Sequence, residues 1–214
     1  MAISPIETER LVIRPFGIED LDAIFEILDI ASSDVDINDP AAVAEARGDR
    51  QRWLEWSIRN DGAFSQLHQL SCGDRAVVLR ASNDLIGAVG LAPVLLPFEQ
   101  LPFFRRPGAS AMRPAPNSSE IGLYWEIVAH QRRQGYATEA AAALVRYAFD
   151  TLHLQRIVAT TTYDNDASIG IMRKLGMTVE RNPLPDPLFL QVVGVLENRS
   201  DSRDRASVAI APGS

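Results

Sequence analysis

The run Gln131-Arg132-Arg133-Gln134-Gly135-Tyr136-Ala137-Thr138 gathers residue types that bind anions: two guanidinium groups, a glycine, a small residue and a hydroxyl, where a helical pattern begins. A helix N-terminus leaves its first amides without intrahelical acceptors and carries partial positive charge, so a glycine-containing loop entering one makes a phosphate cradle. Gly135 lets a phosphate approach the backbone, Ala137 leaves room, Thr138 offers its hydroxyl, and Arg132 and Arg133 add charge. A pyrophosphate suits such a cradle. The spacing is neither the GxGxxG dinucleotide fingerprint nor the GxxxxGK[ST] loop of nucleoside triphosphatases, so both of those classes lack support.

Stepping outward, the elements that must position this loop are legible. Glu120 to Val128 reads as the strand before it, and a helix from about Gly135 to Leu152 follows with Ala137, Ala140, Ala141, Leu144, Val145, Ala148 and Leu152 as its apolar stripe. Gln155 to Thr162 is a β-branched strand. Asn165 to Ser168 can cap a helix that runs to Leu175 and stops at Gly176. Met177 to Glu180 and Leu188 to Leu196 read as closing strands. Upstream, Leu11 to Arg14 predicts a short edge strand before Pro15, and Ile18, Leu21, Ile24, Phe25 and Leu28 recur at helical spacing. Asp39-Pro40 opens a second helix expected to end near Asn60-Asp61-Gly62, and 63–73 is ambiguous. Ala76 to Ala81 and Leu85 to Leu91 flank Ser82-Asn83-Asp84 as an antiparallel hairpin. Residues 93–117 form a long loop holding six of the 13 prolines, with Phe98, Phe103, Phe104, Arg105 and Arg106. A loop of that length is either a mobile excursion or a lid or wall against a substrate.

The 214 residues are enough for one domain with a sizeable core, and 46 % hydrophobic with 23 % charged residues is a globular composition. A net charge of −7 argues against sequence-independent nucleic-acid binding, which relies on basic patches. No apolar run is long enough to cross a bilayer, and the start lacks signal-peptide character, so no membrane association and a cytoplasmic location are expected. Cys72 is the single cysteine, which excludes an internal disulfide and fits a reducing compartment. No metal site is expected, since His68 and His153 have no identifiable partner, and His130 reads as a surface residue. The domain is expected to span 1–197, with 198–214 a flexible tail.

Arg132-x-x-Gly135-x-Ala137 after a strand resembles the pyrophosphate-binding motif of the GNAT superfamily of N-acetyltransferases. Asn165-x-x-Ser168 followed by Lys174-Leu175-Gly176-Met177 is similar to that family's second cofactor-contacting segment. Thr8 to Pro15, Glu120-Ile121-Gly122-x-Tyr124-Trp125 and Gly135 to Ala140 resemble the RimJ/RimL-like branch, which includes ribosomal-protein N-terminal acetyltransferases. The resemblance covers about residues 7–196. It implies an α/β (α+β) fold: a mixed, mostly antiparallel central sheet, splayed between strands 4 and 5 and flanked by helices, with acetyl-CoA entering the gap.

The resemblance also implies roles. Backbone amides from Arg133 to Thr138 (Arg133, Gln134, Gly135, Tyr136, Ala137, Thr138) would hold the pyrophosphate, with Arg132 in the same motif. An amide at Ile127 or Val128 would bind the thioester oxygen, and Asn165 would touch the pantetheine arm. Such an enzyme must deprotonate an ammonium, stabilise an oxyanion and let a thiolate depart. Many members carry a tyrosine acid seven residues after the Asn; here that position is Met172, so Ser168 takes the role by similarity to the branch, with Tyr163 as an alternative donor. Strand alternation puts Glu120, Tyr124 and Glu126 on one side and Leu123, Trp125 and Ile127 on the other, making Glu120 and Glu126 the candidate bases. The expected activity is direct transfer of acetyl from acetyl-CoA, the cosubstrate, to a primary amine through a ternary complex. The acceptor is a protein N-terminus or a small molecule, and the family allows a homodimer. The alternative is a noncatalytic acyl-CoA-binding or regulatory module.

Overall fold

A computed structural model describes residues 4–31, 35–66, 72–105 and 115–198. The chain forms β1 (Ile6–Glu7), β2 (Leu11–Arg14), α1 (Leu21–Phe25), α2 (Pro40–Gln66), β3 (Gly73–Leu79), β4 (Leu85–Leu96), β5 (Ser118–Ile127), α3 (Tyr136–Asp150), β6 (Arg156–Thr161), α4 (Asp166–Lys174), β7 (Thr178–Arg181) and β8 (Val192–Glu197). The strands lie in one sheet in the order β1-β2-β3-β4-β5-β6-β8-β7. Pairs β1/β2, β2/β3, β3/β4, β6/β8 and β7/β8 are antiparallel. This is the mixed, mostly antiparallel sheet expected above, and the added two-residue β1 makes the expected fourth and fifth strands β5 and β6.

Two compact units divide the chain, residues 1–93 with 122–144, and residues 94–121 with 145–214. In the first, alternation along β2 buries Leu11 and Ile13 completely; Val77 of β3, opposite Ile13, is buried on the same face, and Ala76 and Val78 are buried on the other. β2 is not an edge strand. Ile6 and Glu7 pair with Ile13 and Val12, covering the side that Pro15 had suggested was open. Asp39 caps α2 through Oδ1, which accepts from the Ala41 amide at 2.9 Å. The helix continues past Asn60-Asp61-Gly62 to Gln66. Asp61 earns its helical place by accepting from Arg75 at 2.8 Å, whose side chain is only 5 % exposed, so a buried pairing offsets the roughly 1 kcal/mol that Gly62 costs a helix.

In the second unit, α4 packs Ile169 and the fully buried Met172 toward the sheet. Gly194 of β8 accommodates it, since a Cβ there would stand 3.1 Å from Met172 Cγ and 2.7 Å from Met177 Sδ. Residues 188–190 are a 3-10 turn rather than strand, so β8 starts at Val192. The proline-rich stretch departs furthest from expectation. Val94 to Leu96 extends β4, and 98–100 and 102–104 are 3-10 turns. Phe98 and Leu101 are fully buried with Val158, Leu190, Val193 and Val195, and Phe103 and Phe104 pack against them. Phe98 and Leu101 anchor this segment in the core, because burying their side chains outweighs the order the segment must adopt, while Leu95, Pro102 and Arg105 stay exposed. Residues 106–114, the tail from 199 and His68 lie outside the described residues.

Candidate active site

β5 ends at Ile127, a 3-10 turn covers Ala129–Gln131, and α3 starts at Tyr136. The connecting loop turns twice through left-handed backbone, at Arg133 (φ 62°) and at Gly135 (φ 86°). The second suits glycine; the first holds a non-glycine residue in a conformation that costs of order 1 kcal/mol, strain of the kind found at ligand clamps. Among the described residues, none of the amides from Arg133 to Thr138 has a backbone acceptor. Glu139 is the first to donate, to Gly135 O at 3.0 Å. Six successive free N–H groups at a helix start, on a loop exposed from Arg132 to Gly135, make a concentrated anion-binding surface. A Cβ on Gly135 would sit 3.3 Å from Arg10 Nη2, so the glycine also keeps the loop close to its neighbour.

The motif's arginine is tied to the end of β5. Arg132 Nε donates to Ile127 O at 2.9 Å and Nη2 to Glu126 Oε1 at 2.7 Å, so its guanidinium braces the loop against the end of β5. Arg133 and Gln134 are exposed, and Gln134 Nε2 donates to Gln131. Tyr136 lies under Arg10, whose guanidinium carbon is 4.5 Å from the ring centroid. The Val128 amide donates to Ile86 O at 2.8 Å, which leaves Ile127 as the candidate amide for a thioester oxygen. A Cβ on Gly87 would collide with Glu126 O, so glycine there permits the backbones of β4 and β5 to meet closely at this point.

The two candidate bases differ in how they are held. Glu120, in the second unit, gives both oxygens to Arg156, at 2.9 and 2.5 Å, and that guanidinium also lies over Phe103 and Phe104. Glu126, in the first unit, accepts only through Oε1, and no donor reaches Oε2 among the described residues. Tyr124 shares the Glu126 side of β5. Burial, then the Glu126 and Asp74 carboxylates, push its phenol pKa well up, so it remains a hydrogen-bond donor at neutral pH. Burial also raises Asp74, against the pull of Arg50.

In the second unit Asn165 caps α4, its Oδ1 accepting from the Ser168 amide at 3.0 Å. The Ser168 hydroxyl has no hydrogen-bond partner among the described residues. Tyr163, by contrast, gives its hydroxyl to Asn182 O at 2.5 Å, with Leu184 O at 3.1 Å, so its proton is committed to structure. Met172 is buried at 0 % exposure in the core.

Sequence reasoning assigned no role to the contacts around Glu139. Its carboxylate accepts from Thr8 Oγ1 at 2.6 Å, from the Arg10 amide at 3.0 Å and from Arg10 Nε at 2.7 Å. Burial alone would raise this carboxyl, but these bonds outweigh it and hold its pKa below the ordinary glutamate range. A depressed folded-state value means stability that is present above the ordinary glutamate range and lost as pH falls through the folded value. Wild type should therefore exceed Glu139→Gln in urea midpoint at pH 7, with the gap closing as pH falls below the ordinary glutamate range. A gap independent of pH would contradict the charge-assisted pairing.

Among the described residues no group of three His, Cys, Asp or Glu side chains is placed to hold a metal ion, and no helix is long and apolar enough to cross a membrane. A family model for the Acetyltransferase (GNAT) domain matches residues 10–178, and the chain belongs to that family. An uncharacterized N-acetyltransferase of Bacillus subtilis (strain 168), YoaA, is 28 % identical over 177 residues, 82 % of this chain and 83 % of that protein. The structure of a GNAT-family acetyltransferase from Bacillus anthracis superposes with a TM-score of 0.60 at 23 % identity, covering 92 % of this chain and 99 % of that one. The ribosomal-protein-S5-alanine acetyltransferase of Vibrio fischeri superposes at 0.57 with 14 % identity, covering 92 % and 97 %. The protein is an acyltransferase enzyme.

Proposed function

We propose that this acetyltransferase takes acetyl from acetyl-CoA and passes it directly to a primary amine in a ternary complex, with residues 1–197 working as one domain in the cytoplasm. The observation that carries the reading is the row of six unpartnered amides from Arg133 to Thr138, which suits the two charged groups of a pyrophosphate. Bound acetyl-CoA would supply an activated thioester. The chain supplies the rest: loop amides hold the pyrophosphate, the Ile127 amide donates to the thioester oxygen, and Glu126 takes the ammonium proton, directly or through water. Glu126 is favoured over Glu120 because one of its oxygens stays open, whereas both oxygens of Glu120 are bound by Arg156. Ser168, with an unengaged hydroxyl, is the candidate donor to the departing thiolate.

The acceptor is a protein N-terminal amine, as in the RimJ/RimL-like branch, or a small-molecule amine. The acidic net charge of −7 favours a cationic acceptor. Calorimetric titration of the wild-type protein with acetyl-CoA tests the reading, which requires a dissociation constant in the micromolar range; absence of binding would sink it. Ser168→Ala should lower kcat by roughly a hundredfold to ten-thousandfold with acetyl-CoA affinity retained, the scale of losing one proton donor. Unchanged turnover would remove Ser168 from the chemistry.

A further inference from the structure

We propose that Arg10 and Glu139 form a positioning clamp that orients the loop amides for acetyl-CoA, an inference that rests on the function proposed above. Arg10 Nη1 donates to Gln134 O at 3.0 Å, while Nε and Nη2 hold Glu139 Oε2 at 2.7 and 2.6 Å. In a trans peptide the carbonyl of one residue and the amide of the next point in opposite directions. Tying Gln134 O to Arg10 therefore turns the Gly135 N–H away from Arg10 and fixes the plane of the peptide between the two left-handed residues. Thr8 Oγ1 and the Arg10 amide complete the seat of Glu139, and Arg10 caps the Tyr136 ring at 4.5 Å. The turn between β1 and β2 thus grips the start of a helix about 130 residues later. Arg10 and Glu139 act through the loop rather than on the anion, because their charges are spent on each other.

The sign of one substitution separates positioning from simple electrostatics. Glu139 sits in the first turn of α3, where its negative charge opposes an incoming phosphate. If charge alone mattered, Glu139→Gln would tighten acetyl-CoA binding. The clamp predicts the reverse: Glu139→Gln releases Arg10 from its anchor and weakens binding about tenfold, and Arg10→Ala weakens it by roughly tenfold to a hundredfold, the scale of a misplaced binding group. The double variant should bind no more weakly than Arg10→Ala, since both changes break one device. Arg10→Lys, which keeps the charge but lacks the fork that reaches two acceptors, should bind between wild type and Arg10→Ala. The measurement is calorimetric titration of each full-length variant with acetyl-CoA, beside its urea midpoint. Tighter or equal binding by Glu139→Gln, with wild type still binding, would overturn the clamp and leave the function standing. Failure of the wild type to bind would overturn the function and the clamp together.

Discussion

Gly135→Glu is expected to abolish acetyl-CoA binding in a protein that remains folded. The residue holds φ at 86°, where a side chain is strained, and a Cβ would stand 3.3 Å from Arg10 Nη2. The added carboxylate also places negative charge among the free amides from Arg133 to Thr138. Strain of order 1–3 kcal/mol and charge repulsion act in the same direction, so a loss of at least about a hundredfold follows, near 3 kcal/mol. The same strain weakens folding by about 1–3 kcal/mol, so the urea midpoint should fall accordingly in a protein that stays folded without denaturant. Calorimetry beside denaturation checks both halves. Near-wild-type affinity would mean that the anion is held elsewhere.

Phe98→Ala should be the most destabilising single change in the proline-rich segment. Its ring is fully buried, lies tilted at 39° against Phe104 with centroids 5.0 Å apart, and meets Leu101, Val158 and Leu190 in one cluster. Removing a buried aromatic side chain leaves a cavity and costs about 3–5 kcal/mol. The neighbouring contacts explain why the site cannot collapse freely: the Phe103 amide donates to Glu180 at 3.1 Å, and Asn182 Nδ2 to Gln100 at 2.6 Å. Urea denaturation measures the loss directly. A change below about 1 kcal/mol would return residues 94–105 to the class of surface loops.

What the sequence disclosed and what it hid follow from how far apart the partners lie. The cap of α4 by Asn165, the β3/β4 hairpin and the free amides before α3 depend on residues within a few positions of one another, and local chemistry reads them correctly. Glycine at 135 signalled its own backbone conformation. Arg133 did not, because a left-handed arginine persists only through the structure around it. The pairing of Glu120 with Arg156 spans 36 positions and the grip of Arg10 on Glu139 spans 129, so neither has a signature in spacing. The Thr8 to Pro15 and Gly135 to Ala140 segments were both visible as resembling one family, yet nothing in either announced contact with the other. Likewise, six prolines masked the burial of Phe98 and Leu101, since composition suggested a loop while tertiary packing decided otherwise. The preference for Glu126 over Glu120 as base also came only with the ion pairs.

The most direct test of the central claim is release of the CoA thiol from acetyl-CoA by the purified wild-type protein, read with a thiol reagent across protein N-terminal peptides, polyamines, amino acids and aminoglycosides. Thiol release that depends on one class of amine, with an equal amount of acetylated amine by mass, is the predicted result. Micromolar acetyl-CoA binding with no amine-dependent release across the panel would contradict it and make the chain a noncatalytic acyl-CoA-binding module.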